Sequence, residues 1–178
     1  VLRDISSNCD LHWPQVAERY DFDLASIDDP LGVVPIPAWH GVFEEAAKAL
    51  DDDAAMFDLF NNVDIGCFHL FDYLFSCAPT LRDACQAWVK FIPIRTNAYR
   101  LVFEEDDAGG YVEWPILEGR GEWRQNMFAR IGWATQMLER ALEQQVPPIL
   151  IELATSPPKK KSAFQKKYQG RLKFGASH

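Results

Sequence analysis

The stretch GCFHLFDYLFSCAPTLRDACQAW, residues 66–88, holds three of the chain's four cysteines, one of its four histidines and five aromatic rings. A metal site, a redox pair, a cofactor box and plain core packing all compete for it. Helical geometry separates them. Cys67 and His69 are two residues apart, about 200° round a helix at roughly 100° per residue, so they point opposite ways. Cys85 lies beyond the break at Pro79, and no Cys-x-x-Cys or His-x-x-x-His spacing supports a metal. Phe68, Phe71 and Phe75 instead share one side, with Leu70 and Leu74 flanking them, which predicts a buried helix with cysteines as small core filler. Thr80 followed by Asp83 has the pattern of a capping box. It starts a second helix, residues 81–92, whose Leu81, Ala84, Cys85, Trp88 and Ile92 form the inner face.

Upstream, a short helix is expected from Trp13 to about Phe22, with Asp10 or His12 near its start. Residues 36–50, IPAWHGVFEEAAKAL, repeat their apolar positions at helical spacing with Pro37 in the first turn. AAMFDLFNN (54–62) gives a further helical piece. Downstream of Pro93 the period falls to two: AYRLVFEE (98–105), the turn DDAGG and YVEWPI (111–116) predict an antiparallel hairpin. A long helix from about Trp123 to Gln144 carries Met127, Ile131, Ala134, Thr135, Leu138 and Leu142 along one stripe. PPILIEL (147–153) and RLKFG (171–175) read as short strands around a last helix with Ser156 as N-cap, Pro157 at its first position and Gly170 as its stop. The sum is an α+β chain with about four strands.

At 178 residues and 48% hydrophobic content the chain is long enough for one real core, and one domain over 1–178 is the expectation. The net charge of −8 is mixed along the chain, so nothing would draw a phosphate backbone onto it. Lys159 to Lys161, with Lys166 and Lys167, make the last helix basic; a solvated face is the plain reading, contact with a neighbouring domain or DNA backbone the sharper one. No apolar run nears the ~20 residues of a membrane helix, and the first residues lack the order of a secretory signal. A soluble, cytoplasmic protein with reduced thiols is expected. Neither a G-x-S-x-G, a phosphate-binding glycine loop nor an H-E-x-x-H occurs, so no catalytic residues are assigned and an enzyme is not expected.

Tryptophan and arginine point elsewhere. Trp88, Trp114, Trp123 and Trp133 fall on or beside elements that should face one another, with Arg95, Arg124 and Arg130 nearby. Large rings beside a few cationic donors suit a pocket for a small molecule, anionic or neutral, although packing alone also accounts for buried Trp. The ligand-binding candidates are Trp88, Arg95, Trp114, Arg124 and Trp133, with the two arginines as polar anchors. No metal and no cofactor are expected.

The order IPAWHGVFEEAAKAL, DIGCFHLFDYLFSCAPTLRDACQAWVKFI, hairpin, RQNMFARIGWATQMLERAL and AFQKKYQGRLKFGAS resembles the amino-terminal domain of AraC-type transcription regulators of the arabinose-binding-like branch. Its most specific pieces are GCFHLFDYLFSCAPTLRDA, with Phe75 where Leu is usual, and the ending YQGRLKFGA. The resemblance implies an effector-sensing and dimerisation domain. It also implies a helical N-terminal half packed on a small antiparallel sheet crossed by a long helix, loosely like the haem-nitric-oxide-binding fold. No haem is indicated, because His40 and His69 carry no haem signature. In such regulators a carboxy-terminal pair of helix-turn-helix motifs binds DNA, and this chain, ending at His178, is read as the excised sensor without that half. A bacterial, cytoplasmic homodimer with a small-molecule effector follows; arabinose itself is not implied. A stand-alone binding protein or an enzyme using the same cavity is the alternative, and a ligand-free dimerisation module is a third.

Overall fold

The computed structural model describes residues 2–29, 31–68, 70–115, 123–142, 150–158, 164, 166, 168 and 171–176. Its helices are α1 (Leu2–Asn8), α2 (Trp13–Tyr20), α3 (Ile36–Ala49), α4 (Ala55–Phe60), α5 (Leu70–Ser76), α6 (Leu81–Arg95) and α7 (Arg124–Leu142). The strands are β1 (Val102–Asp106), β2 (Gly109–Glu113), β3 (Ile151–Leu153) and β4 (Leu172–Phe174). The chain is thus α+β, with its helices ahead of and between two small sheets.

The expected hairpin is present: β1 and β2 pair antiparallel with Val102 opposite Glu113 and Asp106 opposite Gly109. Asp106 closes the turn, its carboxylate accepting from the N–H groups of Ala108 and Gly109. The other two strands do not join that sheet. β3 and β4 form a separate pair, and it is parallel, with Ile151 opposite Leu172. The chain order explains the correction: a strand, a helical crossover and a strand leave the two strands pointing the same way, whereas antiparallel neighbours need only a tight turn.

Local chemistry sets most helix starts. Pro37 occupies the first turn of α3, where its missing N–H is not needed. Thr80 caps α6: its Oγ1 accepts from the Asp83 N–H at 3.1 Å and its hydroxyl donates to the Asp83 carboxylate at 2.6 Å. α6 then runs past the expected stop at Ile92, through Pro93 to Arg95. Proline so near a C-terminus forfeits one hydrogen bond without breaking the helix behind it, and the Thr96 N–H still reaches the Ile92 carbonyl at 3.1 Å. Arg95 is therefore fixed on a helix end. α1 was not anticipated: seven residues are too few for the period to register.

α5 is less buried than its composition suggests. Phe71 and Phe75 are buried, but Leu70 is 70% exposed, so this helix lies at the surface with one face inward. Cys9 and Cys85 are buried, Cys67 is half-buried and Cys77 is exposed, so core filler describes only some of the thiols. Of the expected last helix, Phe164 and Lys166 are helical and 156–158 are irregular; most of the remainder, including Gly170 and Lys159 to Lys161, lies outside the described residues, as do His69, Glu143 and Gln144.

The long helix α7 organises the interior. It crosses α4 so closely that a Cβ on Gly132 would lie 2.4 Å from the Phe57 carbonyl oxygen. Of the expected stripe on α7 only Ala134 and Thr135 are buried, while Met127, Ile131, Leu138 and Leu142 are half-buried; the buried positions include Asn126, Phe128, Ala129, Gln136 and Met137 instead, because α7 packs against elements on more than one side. One of its sides joins the main cluster with Val42, Phe43, Phe60, Phe75 and Trp88. The other meets a second cluster of Phe57, Phe128, Leu153, Phe164 and Tyr168, which seats the β3–β4 pair against the helices. Within it the Phe164 ring centroid is 4.8 Å from Phe57 and 5.0 Å from Phe128, and Thr135 is hydrogen-bonded to Tyr168.

Candidate functional site

A cavity of about 470 Å³ opens between α3, the end of α6, α7 and the segments 26–29, 32–34 and 66–68. Helical spacing builds its walls. On α3, residues 36, 39, 40 and 43 turn one face inward, bringing Ile36, Trp39, His40 and Phe43 to the wall. On α7, residues 126, 129, 130 and 133 do the same with Asn126, Ala129, Arg130 and Trp133, and Ile92 and Arg95 complete it from α6. A second depression of about 520 Å³ lies elsewhere, beside α4. Its lining of Asp, Asn, Leu, Ala and Val offers no ring and no cation. The first cavity is the better candidate, because it combines an apolar body with convergent polar groups.

Two cations and a histidine mark this cavity. The Arg95 guanidinium stacks on the Phe68 ring, 4.1 Å from its centroid, and Arg130 stacks on Tyr99 at 3.9 Å. Arg95 keeps exposed surface although protein crowds its guanidinium. Burial lowers the pKa of both arginines, but from so high a starting value that both stay charged. The Nε and Nη2 of Arg130 are closed off from solvent and have no hydrogen-bond partner among the described residues. His40 is 4% exposed; its ring lies against Trp123 with centroids 3.8 Å apart, and its Nδ1 is also unpartnered. Burial first, and the charge of Arg130 second, push its pKa down to about 4, so the ring is neutral at pH 7.

Beneath the cavity floor an aspartate fixes the rings. Asp72 is fully buried in α5, and its Oδ2 accepts from the N–H of Gly66 at 2.8 Å and of Phe68 at 3.1 Å. Its Oδ1 accepts from Trp133 Nε1 at 2.8 Å. Gly66 adopts φ 96°, a left-handed conformation that a side chain would strain, and this aims its N–H at the carboxylate. Trp133 is further held by Trp88, stacked at 4.7 Å with 21° between planes.

The sequence candidates divide accordingly. Arg95 and Trp133 line the cavity. Trp88 stands behind Trp133, buried at 3% exposure, and reaches the cavity only through that stack. Trp114 follows β2, half-buried against the main cluster, and is not among the lining residues. Arg124 begins α7 and holds other partners, donating to the Pro157 carbonyl at 3.0 Å and lying 3.6 Å from the Asp53 carboxylate. His40, Asp72 and Tyr99 were not singled out for a ligand site. For Arg130 and Asn126 the signal was present: both share a helical face with Trp133, and polar groups on an inward face call for partners.

Among the described residues no cluster of three or more His, Cys, Asp or Glu could hold a metal ion, and no helix is long and apolar enough to cross a membrane. The cavity between α3, α6 and α7 is the candidate site that the described residues offer. The family described as the arabinose-binding domain of AraC transcription regulators, N-terminal, matches residues 11–178. The chain belongs to this family. It is a ligand-binding regulatory domain of the AraC type, and its family is one of regulator domains rather than enzymes. No curated protein matches the chain. In this AraC-type domain the match spans α2 to β4, so the α3, α6 and α7 walls of the cavity fall within it, while Leu2 of α1, which also lines the cavity, precedes it.

Proposed function

We propose that the domain binds a small-molecule effector in the cavity between α3, α6 and α7, and that occupancy controls DNA binding by a helix-turn-helix domain of the full-length regulator. The observation that carries this reading is the convergence of Arg95, Arg130 and Trp133 on one cavity of about 470 Å³. Such a volume lies in the range that encloses small ligands. An effector touching Arg95 and Trp133 would tie the end of α6 to the middle of α7. It would act by favouring one arrangement of these helices over others that the free domain also populates. A cytoplasmic, bacterial homodimer follows from the same reading, with the helix-turn-helix domains as its output.

A thermal-shift and tryptophan-fluorescence screen of a metabolite panel tests it, run on the wild-type domain and on Ala129→Leu, which fills the cavity from α7. At least one compound should raise the melting temperature of the wild type and lose its effect on the variant. A flat response across the panel, or a shift that survives the filled cavity, overturns the reading. In the full-length regulator, the compound found should change operator affinity, and Ala129→Leu should abolish that change.

A further inference from the structure

The unpaired edge of Arg130 identifies the kind of effector. Nε and Nη2 lie on one side of a guanidinium, and their N–H bonds run parallel, about the spacing of two carboxylate oxygens. Both are without a partner here, while Tyr99 covers the face of the same group at 3.9 Å. The edge, not the face, is what Arg130 has left to offer. Two buried donors without acceptors are costly in any fold, and an acceptor entering from the cavity that Arg130 lines would relieve both at once. His40, on the α3 wall and within the field of Arg130, carries a third unpartnered polar atom and, being neutral, has one N–H to give.

We propose that the effector is a small monocarboxylate with an apolar body, its carboxylate received by the Nε/Nη2 edge of Arg130 with His40 beside it; this rests on the cavity being the effector site. The body fits among Trp39, Phe43, Phe60, Phe68, Phe71 and Trp133, which line the same cavity. A single charge is favoured over two because Asp28 and Asp29 also line it, within a chain of net charge −8. Both nitrogens are closed to solvent, so the side chains packed round this edge move aside as the carboxylate enters.

Matched probes test the assignment on the purified 178-residue chain: octanoate against octanamide, and phenylacetate against phenylacetamide, with inorganic phosphate and arabinose as further arms. Tryptophan fluorescence and thermal shift give the affinities. Each carboxylate should bind at least about tenfold more tightly than its amide, the difference expected of a charge-assisted, two-point contact. Arg130→Met should bring the carboxylate down to its amide's level. Arg130→Lys should stay below wild type, since an ammonium keeps the charge but not the fork. Amides binding as well as acids, phosphate or arabinose binding more tightly than either acid, or a preference that survives Arg130→Met overturns the carboxylate assignment. The wild-type comparison stands even if a variant fails to fold. Should no probe bind, the assignment fails too, while the cavity is still judged by the metabolite panel and Ala129→Leu.

Discussion

Trp133 on α7 donates its indole N–H to Asp72 on α5 across 2.8 Å, and that one bond fixes a wall of the cavity to the segment beneath it. Among the described residues three donors reach Asp72, and all are N–H groups, two of them from the Gly66 and Phe68 backbone. Asp72→Asn changes no shape but replaces an oxygen with an amide that faces a donor. A loss of about 2 kcal/mol is expected, from one bond forfeited and one donor left unpaired. Urea unfolding of the two proteins measures it, and equal midpoints would show that the carboxylate is not needed.

The crossing of α4 and α7 depends on the absence of a side chain at position 132. Gly132→Ala places a methyl group 2.4 Å from the Phe57 carbonyl oxygen, which the backbone must move to admit. Alanine gains about 1 kcal/mol in helix propensity, yet overpacking at a backbone contact costs about 1–3 kcal/mol and should prevail. The variant should therefore melt lower than the wild type in calorimetry. A higher melting temperature would mean that the helices separate without penalty.

His40 gives the domain a defined acid sensitivity. Its folded pKa of about 4 lies below the unfolded value of 6.5, so between these pH values the unfolded chain binds the extra proton. Stability accordingly falls as the pH drops from 6.5 toward 4, by at most about 3 kcal/mol for this group at 1.36 kcal/mol per unit. His40→Gln should flatten that part of the stability profile. The difference between wild type and variant, taken at about pH 7 and about pH 4.5 by denaturant unfolding, isolates the histidine from carboxylates such as Glu45 that titrate nearby in pH. A constant difference would rule it out.

The four thiols should react in a fixed order. Cys77 is exposed at the end of α5, whereas Cys85 is buried and burial pushes its pKa up to about 11; Cys9 is buried and also raised. Titration of the native protein with a thiol-specific chromophore should label Cys77 first and leave Cys85 and Cys9 until unfolding. Fast labelling of Cys85 would place that segment outside the core.

Much of the fold was legible in the residues because local chemistry decides it. The apolar spacing of 36–50 and 81–92, the Thr80 cap and the DDAGG turn act within a few neighbouring residues, and the elements they predict are present. The course of α6 past Pro93 and the exposed side of α5 were not legible, since each depends on what packs against the element. The pairing of β3 with β4 was readable in principle from the strand–helix–strand order, but only if the crossover was weighed above the bias toward a single antiparallel sheet.

The site divides the same way. Arg95 and Trp133 were identifiable as large or charged groups near facing elements, and Arg130 shares the helical face of Trp133. That Arg124 donates to the Pro157 carbonyl, that Trp88 stands behind Trp133, and that Asp72 accepts from Trp133 are facts of contacts between residues as much as 61 positions apart. Sequence alone determined the periodicities, the caps, the charge balance and the resemblance that places the chain among regulator domains. Only the tertiary structure decided which polar groups remain unpaired around one cavity. A hydrogen bond is satisfied or left wanting by its neighbours in space, and neighbours in space are set by how the helices cross.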